Sequence, residues 1–174
     1  MDTPSAPPTT VTDALLATLA DEAATLDRLA DAAAAQLDTL RTGDHVRFEE
    51  AGHATADVVA ELDRVGQTRA RQQRLLARTV GADEALGLDA LAGHLSEADA
   101  VRLREARDRL RSAATVADAR CDALAFALHY AVELGRETLA AWQGLAAPRP
   151  ARVYTAGGAA APAAPGRAFL NQTG

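Results

Sequence analysis

Apolar residues recur along most of this chain at steps of three and four, the spacing that lines one face of an α-helix. Leu15, Leu19, Leu26, Leu29, Ala33, Leu37 and Leu40 form the first such series, which stops at Thr42-Gly43. Ahead of it, Thr10-Val-Thr-Asp13 reads as an imperfect capping box, its hydroxyl and carboxylate able to accept from the first free N–H groups. The pattern predicts a first helix over 11–42. Gly43 supplies its stop and Asp44 a cap for a second helix over 45–80. The inward positions of that helix read as Phe48, Ala51, Thr55, Val59, Leu62, Val65 and Leu76. Its later half is polar and Arg-rich, so the apolar face weakens there. A two-residue break makes the two helices antiparallel neighbours.

Beyond Gly81, a short helical connector over 84–94 carries Leu86, Leu88 and Leu91, and Ser96-Glu-Ala-Asp99 is a second capping-box-like start. The last helix is predicted over 97–147, with Leu103, Ala106, Leu110, Ala113, Ala117, Leu124, Leu128, Ala131, Trp142 and Leu145 as its main stripe. Gly135 is the expected bend, because glycine inside a helix costs about 1 kcal/mol relative to alanine. Pro148 and Pro150 forbid any continuation. From Ala123 to Leu134 this helix is apolar most of the way round: Phe126, Tyr130 and Leu134 make a second line, displaced from the main stripe by roughly 130°. Either the helix is central and both faces are core, or one face is held open for a partner helix. It outlasts its neighbours, which favours exposure near its C-terminal end.

No segment alternates with the period of a strand, and no repeat appears. Residues 1–9 are Pro/Thr/Ser-rich and 148–174 Ala/Pro/Gly-rich, compositions too poor in apolar side chains to fold alone. The predicted fold is all-α: an elongated antiparallel three-helix bundle or coiled coil over 10–147, with a short helical connector and disordered ends. Hydrophobic residues make up 48% of the chain and aromatics 3%, so its packing must come from Ala and Leu, which suits closely set helices.

Charge and chemistry narrow the function by exclusion. The net charge is −6 and every basic residue is Arg; an acidic chain of this kind argues against nucleic acid and anionic membrane. The most apolar stretch contains His129 and Glu133 and is too short to span a bilayer. The start, Met1-Asp-Thr-Pro-Ser, has no basic or apolar leader region, so a cytoplasmic location is expected. The single cysteine, Cys121, allows no internal disulfide and no common zinc set, and its apolar surroundings suggest a small buried thiol. Glu50-Ala-Gly-His53 matches half of a di-metal bundle motif, but neither His94 nor His129 has a Glu three residues upstream to complete it. Ser5, Ser96 and Ser112 lack a nucleophile context, and Gly157-Gly158 lacks the strand and Lys-Ser/Thr of a phosphate loop. No enzyme, metal or cofactor is expected.

After the two prolines comes Arg152-Val-Tyr154-Thr-Ala-Gly-Gly158, and later Gly166-Arg167-Ala-Phe169-Leu170. A lone tyrosine there has nothing in its own segment to pack against. Two N-terminal helices, a Leu-bearing connector, a long last helix and this tail together resemble the FlgN family of flagellar type III export chaperones, over most of the chain. The resemblance implies a cytoplasmic chaperone for the hook–filament junction proteins FlgK and FlgL. Such a chaperone binds their C-terminal helical segments and delivers them to the export gate protein FlhA. It further implies that the end of the last helix (Phe126, Tyr130, Leu134, Leu139 and Trp142) takes the client, and that Tyr154, with Gly158, contacts the gate. The chain departs from the pattern in carrying Ala and Cys121 where many members have Asn, and in its Ala/Pro-rich tail. A monomer or weak homo-oligomer is expected. The alternatives are a generic α-helical adaptor, or a chaperone for flagellin or the filament cap.

Overall fold

The computed structural model describes residues 8–146, with side chains from 10 to 144, and the backbone at 153–154 and 160–161. The fold is all-α. Its helices are α1 (Pro8–Thr42), α2 (His45–Thr79), α3 (Leu88–Ala92) and α4 (Glu97–Ala146). The chain divides into two compact units, residues 1–128 and 129–174, with the boundary inside α4.

In the first unit, α1 starts at Pro8, ahead of the capping pattern read at Thr10–Asp13. Proline suits a first helical turn, where its missing N–H is not needed. Asp13 is therefore inside the helix, and its carboxylate accepts from Arg102 Nη2 at 2.8 Å. Gly43 turns the chain with φ +71°, a left-handed conformation open to glycine, and Asp44 caps α2 by accepting from the Arg47 N–H at 3.1 Å. Gly81, at φ +70°, closes α2, and the Ala82 N–H donates back to the Ala77 carbonyl at 2.8 Å.

The connector is shorter than its leucine spacing suggests. The Asp83 carboxylate accepts from the Ala85 N–H at 2.9 Å and its carbonyl from the Leu86 N–H at 3.1 Å, forming a turn instead of a helical start. Helix α3 is left with Leu88–Ala92. At the start of α4, Ser96 Oγ accepts from the Asp99 N–H at 3.2 Å, with Glu97 and Asp99 in the first turn, where the helix dipole favours negative charge.

The main core gathers Val11, Leu15 and Leu19 from α1, Leu76 and Ala77 from α2, Leu91 and Ala92 from α3, and Ala100 and Leu103 from α4. Farther along, a thinner cluster joins Leu29 and Ala30 to Ala117, flanked by half-buried Val58, Leu62 and Cys121. Helix α4 thus runs parallel to α1 and antiparallel to α2. Val59, read as inward from the sequence, is exposed, and its neighbour Val58 takes the inward place. Cys121 is half-buried, not fully buried. Polar bridges also join α1 to α2: Arg69 Nε donates to Glu22 Oε2 at 2.6 Å, Thr55 Oγ1 to Gln36 Oε1 at 3.4 Å, and Arg28 Nη2 to Glu61 Oε1 at 2.7 Å.

The main stripe of α4 is core only in part. Leu124 is buried and Leu128 half-buried, but Ala131 and Trp142 are exposed. As α4 advances from Arg102 to Ala117, its partners on α1 advance from Asp13 to Ala30. Carried on at the same pace, α1, which ends at Thr42, runs out about level with Leu128. The expected bend at Gly135 does not interrupt α4, which is continuous through it.

In the second unit, the backbone of Val153–Tyr154 pairs antiparallel with Ala160–Ala161, in the register Val153↔Ala161 and Tyr154↔Ala160. This two-residue ladder stands beside an otherwise helical chain and leaves the all-α class unchanged. Val153 and Tyr154 are the β-branched and aromatic types that favour extended pairing. The rest of the expected disorder, at 148–174 and at the N-terminus, lies outside the described residues.

Candidate functional site

The two sequence accounts of the aromatic end of α4 differ in one measurable quantity, the exposure of its large apolar side chains. Phe126 is 74% exposed, Tyr130 63%, Leu134 51%, Leu139 63% and Trp142 72%. None of the five is core. Phe126, Tyr130 and Leu134 follow one line of the helix at four-residue steps, while Leu139 and Trp142 project from roughly the opposite side. Val132, not singled out by the sequence reading, is also 51% exposed and lies on the Leu139 side. Its signal was present in the all-round apolar character of the stretch.

Two polar contacts here close along the helix itself. Arg136 Nη1 donates to Glu133 Oε1 at 2.6 Å, and Thr138 Oγ1 donates to the Leu134 carbonyl at 2.8 Å. From His129 to Gly144 every residue is exposed except Glu133, which is half-buried. Water therefore contacts an unusual run of aromatic and branched side chains. Helix propensity and local pairs keep the backbone helical, so the side chains are displayed at fixed spacing without a core beneath them.

Of the tail residues, Tyr154 is described only through its backbone pairing with Ala160, and Gly158 lies outside the described residues. Glu50 and His53 are both exposed on α2, and no group of three or more His, Cys, Asp or Glu among the described residues is placed to hold a metal ion. Burial pushes the Cys121 thiol above its ordinary value, with Asp118 and Asp122 adding to the effect, the opposite of what activates a nucleophilic cysteine. No helix among the described residues is long and apolar enough to cross a membrane.

The profile of one protein family, FlgN protein, matches residues 11–162, from the first turns of α1 to just past the strand pair. This chain belongs to the FlgN family. No curated protein and no solved structure matches it. Family membership carries a role of a definite kind, that of a flagellar export chaperone. It also places the whole of α4, including the exposed stretch beyond Leu128, inside the matched region.

Proposed function

We propose that this FlgN-family chain is a cytoplasmic chaperone that binds the C-terminal helical segments of hook–filament junction proteins of the FlgK and FlgL type and passes them to the export gate protein FlhA. Client binding is assigned to Phe126, Tyr130, Leu134, Leu139 and Trp142, and gate contact to Tyr154 with Gly158. The observation that carries the reading is the exposure of all five α4 side chains on a continuous helix.

The physical task is plain. A client helix that packs only in the assembled filament exposes an apolar face beforehand. A helix presenting aromatic and leucine side chains covers that face without nucleotide or metal, as amphipathic helices recognise one another. Ordering the client on binding holds the affinity to a moderate value, which later release requires. Tyr154 offers a large ring and a hydroxyl with only two torsions to order, a good anchor for a transient contact.

The test is a pair of variants followed by calorimetric titration with a junction-protein C-terminal peptide. Phe126→Ala with Tyr130→Ala is expected to weaken client binding while changing stability by no more than about 0.5 kcal/mol per site, the range of exposed substitutions. Tyr154→Ala is expected to leave client affinity intact and to weaken the complex with FlhA. Unchanged client affinity in the double variant would remove α4 as the client site, and an undiminished gate complex would remove Tyr154.

A further inference from the structure

Away from α4, the most unusual surface belongs to α2. Every seventh residue from Glu50 runs Glu50, Asp57, Arg64, Arg71, Arg78, and all five are exposed. Seven residues are close to two helical turns, so these charges follow one line along the helix. The segregation extends beyond the line. Between His45 and Asp63 stand Glu49, Glu50, Asp57, Glu61 and Asp63 against Arg47 alone, while between Arg64 and Thr79 there are arginines and no acid at all.

Compensation of the helix dipole does not account for this, because that effect is confined to the first and last turns and Asp57 and Arg64 sit at mid-helix. Pairing within the fold does not account for it either. Arg69 is engaged with Glu22, Arg78 with Glu84, and Glu61 with Arg28. None of Glu50, Asp57, Arg64 and Arg71 is held in an ion pair with a described residue. On the same face stand Val46 and Leu75, 69% and 49% exposed.

We propose that this face of α2 pairs with the same face of a second copy of the chain, the two helices antiparallel about a two-fold axis passing between Ala60 and Glu61. That register sets Asp57 against Arg64 and Glu50 against Arg71, each pair formed twice. It also sets Val46 against Leu75, at both ends of the seam. The charge pairs and the apolar pair come from different residues, yet one register satisfies both. A uniformly acidic partner would be repelled by the first half of α2 and a uniformly basic one by the second. An antiparallel copy of the same helix meets both halves with opposite charge, and a two-fold contact closes on itself. The seam is mostly polar and open to solvent, so the dimer is weak and weakens further with salt. It uses none of the α4 side chains assigned to the client.

Sedimentation velocity on the full chain, across a concentration series at low and high salt, tests this. The wild type is expected to dimerise at low salt and to dissociate as salt is added. Arg64→Glu with Arg71→Glu makes all four pairing positions acidic, and Glu50→Arg with Asp57→Arg makes all four basic. Each is expected to raise the dissociation constant at least about tenfold. Mixed in equal amounts, the two variants are expected to recover a one-to-one heterodimer. All four side chains are exposed, so unchanged thermal melts confirm that both variants remain folded. A wild type that stays monomeric at every concentration would overturn the proposal. So would a dimer indifferent to the reversals, or a mixture that fails to pair.

Discussion

Glu22 shows what residue-level pattern reading can and cannot reach. A glutamate on a helix is read as solvent-facing, yet this one is buried, and its carboxylate accepts from Arg69, 47 residues away. Nothing in the neighbourhood of either residue signals the pairing, because it depends on the antiparallel register of α1 and α2. The exchange of Val58 for Val59 has a similar origin. Two adjacent valines are both apolar, and a step of 100° per residue cannot decide between them until the partner helix is in place. Replacing Arg69 with methionine keeps the stem but leaves the Glu22 carboxylate buried without its cation. The expected cost is about 2–3 kcal/mol of unfolding free energy, the range for losing a hydrogen-bonded partner of a buried charge. Chemical denaturation of Arg69→Met checks this. A second change, Glu22→Gln, is expected to recover part of the loss, since a neutral amide costs less to bury.

At the level of elements, the ends of α1, α2 and α4 carry their signals locally: Gly43 and Gly81 in left-handed turns, Asp44 as a side-chain cap, and Ser96 with Asp99. Those signals stand in the sequence because each is made within a few residues. The connector is different. Its leucines are spaced for a helix, but Asp83 engages its own neighbours first. Gly135 gives a second lesson, since glycine is a cost within a helix and yet α4 stays helical through it. A Cβ added there would meet nothing within 4 Å. Gly135→Ala is therefore expected to strengthen α4 locally by about 0.5–1 kcal/mol. The gain should appear as slower amide exchange between His129 and Ala146 and leave the global melt nearly unmoved, because this stretch has no core beneath it. Faster exchange in the alanine variant would show that the glycine serves a local distortion.

For the molecule as a whole, the open question in the sequence was which apolar surface of α4 is core, and periodicity alone could not answer it. Leu124 and Trp142 share a stripe on the helical wheel, yet one is buried and the other 72% exposed. The difference is one of length: α4 is 50 residues and α1 is 35, so packing partners are exhausted before α4 ends. All-α class and helix order were legible from spacing and caps, whereas the division of α4 into a packed and an unpacked part required the register of three helices. The division carries a prediction. Among the described residues, every buried apolar side chain, from Val11 to Leu124, lies within residues 1–128. A chain ending at Leu128 should therefore fold by itself, with a denaturation midpoint close to that of the full protein. Its helical signal should fall by the share belonging to the missing part of α4. It should also lose the capture of junction-protein peptides, because four of the five assigned side chains go with the deletion. Circular dichroism melts and peptide titration on the same fragment separate the packing of α4 from its proposed binding of clients. A midpoint lowered by many degrees would show that the second unit supports the first, and retained peptide binding would place the client site within the packed helices.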